Sequence, residues 1–157
     1  MIPAKIHYFW FGHNRRPKIV EKCINSWRKH LIDFEIIEWN ENNYDINKTA
    51  WTRDTQKAKN WAYLSDYARI DILNQFGGIY LDTDEEIFND ITPFLKHVFF
   101  VGRETKEYIQ AGLIGSTKNN LILSNILDYY SNTTYFDFFN KNLTLPILMT
   151  SILKIMG

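Results

Sequence analysis

Hydrophobic positions along this chain switch between two spacings, and the switches mark its elements. Residues 5–11, KIHYFWF, form a β-rich aromatic run that Gly12 and the polar His13-Asn14 interrupt, which predicts a buried first strand followed by a loop. From Pro17 the stretch PKIVEKCINSWRKHL carries Ile19, Val20, Cys23, Ile24 and Trp27 at i, i+3/i+4 spacing, a helix with proline in its first turn. Residues 34–39, FEIIEW, read as a second strand that ends in the turn cluster Asn40-Glu41-Asn42-Asn43. The pattern over 42–57 is polar and predicts irregular structure.

Residues 57–76 restore helical spacing through Ala58, Trp61, Ala62, Ala68, Ile72, Leu73 and Phe76, and Gly77 is placed to stop the helix in a left-handed conformation. Strands are expected at 79–82, 97–102 and 108–115. Helices are expected at 119–130 and 145–156, with Pro146 in the first turn of the last. Strands alternating with helices imply an α/β layered sheet. No repeat, low-complexity segment or linker divides the 157 residues, so a single domain over 1–157 is expected.

Composition removes several alternatives. Eighteen basic residues offset eighteen acidic ones, so overall charge offers no attraction for nucleic acid or membrane. One cysteine, Cys23, cannot form an internal disulfide and suits a reducing compartment. No apolar run reaches the roughly 18 residues of a membrane span, and MIPAKIHYFWFG is too short and too polar at its flanks for a signal peptide. A cytoplasmic location is expected, or a peripheral one at the inner membrane face.

The chemistry concentrates at NQFGGIYLDTDEEIF, residues 74–88. A strand burying Ile79 and Leu81 has no packing use for four carboxylates at its tip, where like charges raise one another's pKa unless something positive lies among them. If extended backbone continued through Asp84, alternation would put Tyr80, Asp82 and Asp84 on one face. A hard divalent cation, Mn²⁺ or Mg²⁺, would take their oxygens and complete its shell with water and phosphate, at a strand's C-terminal end where open α/β sheets bind ligands. The plain alternative is a solvated acidic turn. On the preceding helix Ala62, Ser65, Asp66, Arg69 and Leu73 share a face, and only Gly77-Gly78 separate that helix from the aspartates. Asp66 and Arg69 then serve either as a fastening pair between helix and sheet or as part of a site, and both can hold.

The order LSDYARIDILNQFGGIYLDTDEE resembles the sugar-binding DXD region of glycosyltransferase family 32, the group that includes capsular polysaccharide glycosyltransferases and yeast initiating α-1,6-mannosyltransferases. It is similar also to the S-D-x-x-R…G-G-x-Y-x-D-x-D core of clostridial glucosylating toxins. IPAKIHYFWFGHNRRP and CINSWRKHLIDFEIIEWNENN resemble the family's two preceding blocks, so the likeness runs in order over residues 2–86.

The resemblance implies a GT-A type, Rossmann-like nucleotide-sugar site. In it Trp10 would stack on the nucleobase, although a core role fits that residue as well. Asn40 would lie near the nucleoside, although a turn-forming asparagine fits too. Ser65, Asp66 and Arg69 would contact donor sugar and diphosphate, and Tyr80 would lie beside them. Asp82 would meet ribose and metal, and Asp84 would ligate the metal. The implied activity is metal-dependent transfer of a hexose from a nucleotide sugar, a UDP-sugar foremost, to a glycan or lipid-linked saccharide, with retention of configuration. Family members run longer, and TLPILMTSILKIMG matches their last helix without the acceptor-side segment that follows. A non-catalytic sugar-nucleotide-binding remnant is therefore the alternative. A phosphoryl-transfer enzyme or nuclease would need further acidic ligands, a phosphate loop or a basic stripe.

Overall fold

Alternation along β1 (Lys5–Phe9) sorts its side chains onto two faces, and the rest of the molecule follows that division. The computed structural model describes residues 1–156. Ile6 and Tyr8 point to one side, where α1 (Lys18–His30) packs Val20, Cys23, Ile24 and Trp27 against them and against Ile79 and Leu81 of β3 (Gly78–Leu81). Phe9 and Tyr80 point to the other side, into a larger core built on α3 (Trp61–Phe76). Two apolar layers on one sheet, each covered by helix, are the α/β arrangement that the alternation predicts.

The sheet has the order β2-β1-β3-β5-β4. β1 is parallel to β2 (Glu35–Trp39) and to β3. β4 (Phe99–Arg103) and β5 (Ile109–Ser116) form a hairpin that extends the sheet antiparallel to β3. The chain therefore leaves β1 and β3 at the same edge of the sheet, and what their C-terminal ends carry is brought together.

Two glycines make the entry to β3 abrupt. Gly77 (φ 65°) and Gly78 (φ 111°) take left-handed backbone, and the Gly77 N–H closes α3 on the Leu73 carbonyl at 2.8 Å. A Cβ on Gly78 would lie 2.8 Å from His7 Nε2, so both conformation and space require glycine there. His7 is fully buried. Its Nδ1 accepts from the Trp39 indole N–H at 3.1 Å, which leaves Nε2–H to donate to the Gly77 carbonyl at 2.9 Å. This histidine fastens the glycine turn to the sheet.

The polar segment 42–57 is not irregular throughout. It holds a 3-10 turn, Ile46–Lys48, and α2 (Ala50–Lys57). A capping box between Thr49 and Thr52 starts α2, and Trp51 anchors it, its ring 4.6 Å from Tyr130 and 4.5 Å from Phe138. The helix expected from residue 57 begins instead at Trp61, because Lys59 (φ 52°) breaks the backbone and the Asn60 side chain caps Tyr63 N–H. α4 (Leu121–Ser131) and α6 (Leu145–Met156) lie close to their expected places, whereas α5 (Tyr135–Asn140) was not expected. Ile19, taken for the apolar stripe of α1, is half exposed. No helix among the described residues is long and apolar enough to cross a membrane.

Candidate active site

The positive charge that the acidic tip needs is Arg69. It projects from α3 towards β3, and its side chain is 7% exposed. Nη1 lies 3.2 Å from Asp82 Oδ1 and donates to the Ala111 carbonyl of β5 at 2.7 Å. Nη2 lies 3.2 Å from Asp66 Oδ1 and reaches Ser65 Oγ at 3.4 Å, and Nε–H donates to the Ser65 carbonyl at 3.1 Å. The guanidinium also stands over the Tyr80 ring, 4.4 Å from its centroid. Every edge of the guanidinium is thus occupied by protein, and the residue is a fixed charge between helix and sheet. Despite its burial it stays charged, held so by Tyr80, Asp66 and Asp82 around it.

Tyr80 O–H donates to Asp82 Oδ1 at 2.6 Å, so one oxygen of Asp82 is taken by Tyr80 and Arg69 together. The other lies towards Gly112 of β5. A Cβ on Gly112 would fall 2.9 Å from Asp82 Oδ2 and 2.7 Å from Glu85 Oε1, so the missing side chain is what lets two carboxylates close on the β5 backbone. Burial, followed by the charges of Asp82 and Asp84, pushes the Glu85 carboxyl above its ordinary range. The Gln110 amide holds that carboxylate from the side.

Extended backbone does not continue through Asp84. The Asp82 N–H still bonds to the Gly112 carbonyl at 2.8 Å, but the chain then turns, with Glu85 N–H on the Asp82 carbonyl at 3.0 Å. Asp84 therefore reaches the site through a turn and not through the pleat, and it is exposed.

Asp66 has its carboxyl raised, mainly by burial, against the opposing pull of Arg69 and of the Leu145 amide at the start of α6. The C-terminal helix thereby touches the site. Trp10, one residue beyond β1, is half-buried and fixed by its indole N–H on the Asn14 carbonyl at 2.8 Å. The loop that carries it is tied down by Arg16 to Glu38, and by Gly12 N–H to Glu41.

These groups border one open cavity of about 420 Å³, lined by Trp10, Ser65, Asp66, Arg69, Tyr80, Asp82 and Asp84 among others. Asn40 is not in it. Its side-chain oxygen accepts from Asn42 N–H at 2.9 Å and its own N–H donates to Asn43 Oδ1 at 2.8 Å, the bonding of a turn-forming asparagine. Residues that sequence reasoning passed over also line the cavity. Phe11 and Trp61 stack at 6.2 Å and build, with Phe9, a wall facing the acidic tip. Tryptophan at the first position of a helix reads as core in a sequence, and only the fold of the loop above it turns it towards a cleft.

The donor set suits a hard cation in part. Among the described residues no three carboxylate, histidine or cysteine side chains converge as a closed metal site. The second oxygen of Asp82 and exposed Asp84 instead offer the incomplete, all-oxygen shell that Mg²⁺ or Mn²⁺ fills with water and phosphate.

A mixed α/β sheet with an acidic tip at the C-terminal end of β3, beside the aromatic end of β1, is the arrangement of a GT-A-type glycosyltransferase fold. Two solved structures share it: the PaToxG glycosyltransferase, with a TM-score of 0.73 at 18% identity over 97% of this chain and 68% of that one, and the apo-form glycosyltransferase GlyE of Streptococcus pneumoniae TIGR4, with a TM-score of 0.53 at 13% identity over 99% of this chain and 43% of that one. At those identities the likeness is one of fold. The family described as glycosyltransferase sugar-binding region containing DXD motif matches residues 17–100, more than half of the chain, and the protein belongs to it. The chain is also 28% identical over 110 residues to subversion of eukaryotic traffic protein A of Legionella pneumophila; the match takes in 53% of this chain and 17% of that protein. The chain thus spans less than a fifth of that relative's length.

Proposed function

We propose that the protein transfers a hexose from a nucleoside-diphosphate sugar, a UDP-sugar foremost, to a hydroxyl of a glycan or lipid-linked saccharide, with Mg²⁺ or Mn²⁺ on Asp82 and Asp84. It would act in the cytoplasm or at the inner face of the membrane. The observation that carries this reading is the convergence of seven residues from three separate segments, Trp10, Ser65, Asp66, Arg69, Tyr80, Asp82 and Asp84, on one cavity.

In this reading the bond from the anomeric carbon to the diphosphate oxygen breaks and a bond to the acceptor oxygen forms. The acceptor's proton leaves with the diphosphate. Negative charge grows on the departing group, and fixed positive charge in a partly dehydrated cleft stabilises it more than water would. Arg69 supplies such a charge and holds Asp66 and Asp82 in place. When bound, the metal ion provides Lewis-acid stabilisation of the diphosphate oxygens. The partly shielded Asp66 accepts hydrogen bonds from donor hydroxyls and orients the ring, so that positioning lowers the barrier further. The wall of Trp10, Phe11 and Trp61 offers flat apolar surface to a base. Retention at the anomeric carbon is the outcome implied by the resemblance to family 32.

A panel of UDP- and GDP-sugars tests the proposal by hydrolysis and by thermal shift, with and without Mn²⁺. The expected result is Mn²⁺-dependent stabilisation by one nucleotide, accompanied by slow release of free sugar. Nucleotide binding without any turnover, with acceptor saccharides present, would favour the non-catalytic reading.

A further inference from the structure

We propose that the outer face of α1 is a docking surface for an anionic lipid bilayer. The chain is neutral overall, but residues 13–32 hold six of its eighteen basic residues and one of its eighteen acidic ones. A local excess of that kind attracts anions where the net charge does not. The proposal selects the membrane from the two locations given above and stands apart from the donor chemistry.

The helix sorts these charges. Val20, Cys23, Ile24 and Trp27 face the sheet, and helical spacing then puts Lys18, Lys22, Asn25 and Lys29 in one line on the opposite side. All four are exposed, and no carboxylate falls in that line. Arg15 precedes it, and Arg28 flanks it, donating to Asn25 Oδ1 at 3.1 Å. The neighbouring carboxylates are engaged: Glu21 and Glu38 by Arg16, and Glu86 by Lys22 at 2.6 Å. Those pairs use Arg16 and Lys22 only, so among the described residues Arg15, Lys18, Arg28 and Lys29 keep their charge without an acidic partner. Against them stands Asp33, beyond the helix end. The N-terminal half of the line borders an open groove of about 680 Å³, lined by Arg15, Arg16, Lys18, Glu21, Lys22 and Asn25.

Charge alone would serve any polyanion, and the apolar side chains beside it select a bilayer. Ile19, half exposed, lies one turn from Lys22 on the flank that carries Ser26. Ser26 Oγ accepts from the Ile87 N–H at 2.9 Å, which brings the chain at Phe88 alongside that flank, and Phe88 is 70% exposed. Ile32, three residues past Lys29, is 83% exposed. Lysines interleaved with exposed isoleucine and phenylalanine suit a surface that rests in the headgroup layer, its apolar side chains dipping below the charges. A nucleic-acid backbone would meet the lysines but offer the isoleucines nothing to bury against. Protein interfaces are depleted in lysine, which supplies three of the four residues of the line. Because α1 follows the loop that carries Trp10 of the donor cleft, a chain docked by this face holds that cleft close to the membrane.

Vesicle co-sedimentation tests this, with phosphatidylcholine alone and with phosphatidylcholine–phosphatidylglycerol mixtures, at low and high NaCl. The parent chain is expected to sediment with the mixtures and not with phosphatidylcholine, and to be released as salt rises. Lys18→Gln combined with Lys29→Gln should weaken binding about 25-fold, a factor of about five for each basic residue. The melting temperature should not change, because both side chains are exposed. Ile32→Ser combined with Phe88→Ser should remove the part of the binding that survives high salt. No sedimentation with the mixtures, equal sedimentation with phosphatidylcholine alone, or either double variant binding like the parent would each overturn the proposal. So would release by soluble glycerol phosphate at matched phosphate concentration, which would make the face a site for a free anion, or preferential capture by single-stranded RNA.

Discussion

Arg69 Nη1 and Asp82 Oδ1 stand 3.2 Å apart across the junction of α3 and β3, and this contact fastens the helix to the sheet while it charges the site. Removing the arginine leaves Asp66, the inner oxygen of Asp82 and the Ala111 carbonyl without their partner in a buried place. Breaking a buried pair from one side costs about 3–5 kcal/mol. Arg69→Ala is therefore expected to lower stability by that order, visible in urea unfolding, and to lose activity along with the fold. Arg69→Lys keeps the charge without the planar fork. It should recover much of the stability while remaining impaired in transfer, and full activity in a stable Lys variant would show that the fork is only structural.

Asp84 behaves oppositely, because it is exposed and anchors no packing. Asp84→Asn should leave the melting temperature of the metal-free protein unchanged. The Mn²⁺-dependent part of nucleotide binding should disappear. Isothermal titration of UDP with and without Mn²⁺ separates the two, and retained metal-dependent affinity would remove Asp84 from the ligand set.

Tyr80 ties these residues together by its 2.6 Å bond to Asp82. A hydrogen bond to a charged group contributes about 1.5–3 kcal/mol. Tyr80→Phe is expected to lose stability within that range and to raise the Mn²⁺ concentration needed for half-maximal activity, since Asp82 is then held by Arg69 alone. A loss of stability at unchanged metal requirement would assign Tyr80 to the fold only.

Much of this was legible in the sequence for a definite reason. Ser65, Asp66, Arg69, Tyr80, Asp82 and Asp84 lie within one helix–glycine–strand unit, so helical spacing and strand alternation alone bring most of them together. The parts that escaped reading depend on pairing between distant segments. Gln110, Ala111 and Gly112 reach the acidic tip only because β5 lies antiparallel to β3, and nothing local to them announces it. Asn40 stays open between two roles in the sequence because an asparagine beside a strand end serves a turn as readily as a ligand, and its bonds here are those of the turn. The segment around α2 looked irregular because its helix is set by a threonine capping box and one buried tryptophan, not by an apolar stripe. Helical spacing leaves Arg69 open to fastening and to donor contact alike, and only the pairing of β5 with β3 brings the Ala111 carbonyl to its edge.

His7 gives the fold a dependence on pH. Burial, with a smaller contribution from the Lys5 charge, lowers its pKa from 6.5 to about 4, against the pull of the Gly77 carbonyl. The unfolded chain takes up the proton at a higher pH than the folded one does. Stability is thus unaffected above pH 6.5, falls as pH drops from 6.5 towards 4, and levels off below. The loss amounts to about 3 kcal/mol at most. His7→Gln can still donate to Gly77 but cannot titrate. It should be less stable than the parent at pH 7 and show a flatter fall in melting temperature between pH 7 and pH 5. An equal slope in both proteins would remove His7 as the cause.

The close approach of two carboxylates to Gly112 supplies the most local test of the cation. Its φ lies outside the left-handed region, so alanine is tolerated by the backbone, but the added Cβ would stand 2.7 Å from Glu85 Oε1 and 2.9 Å from Asp82 Oδ2. Gly112 is buried in β5, so the two carboxylates must give way against the Gln110 amide and Tyr80 that hold them, at a cost of about 0.5–3 kcal/mol. Asp82 is less free, since Tyr80 and Arg69 hold its other oxygen; the strain falls on the oxygen available to a metal. Gly112→Ala is accordingly expected to melt somewhat below the parent, to stay folded, and to need severalfold more Mn²⁺ for the same nucleotide affinity. Equal Mn²⁺ titrations for the two proteins would mean that the ion, if bound, approaches from the Asp84 side and does not use the Asp82 oxygen beside Gly112.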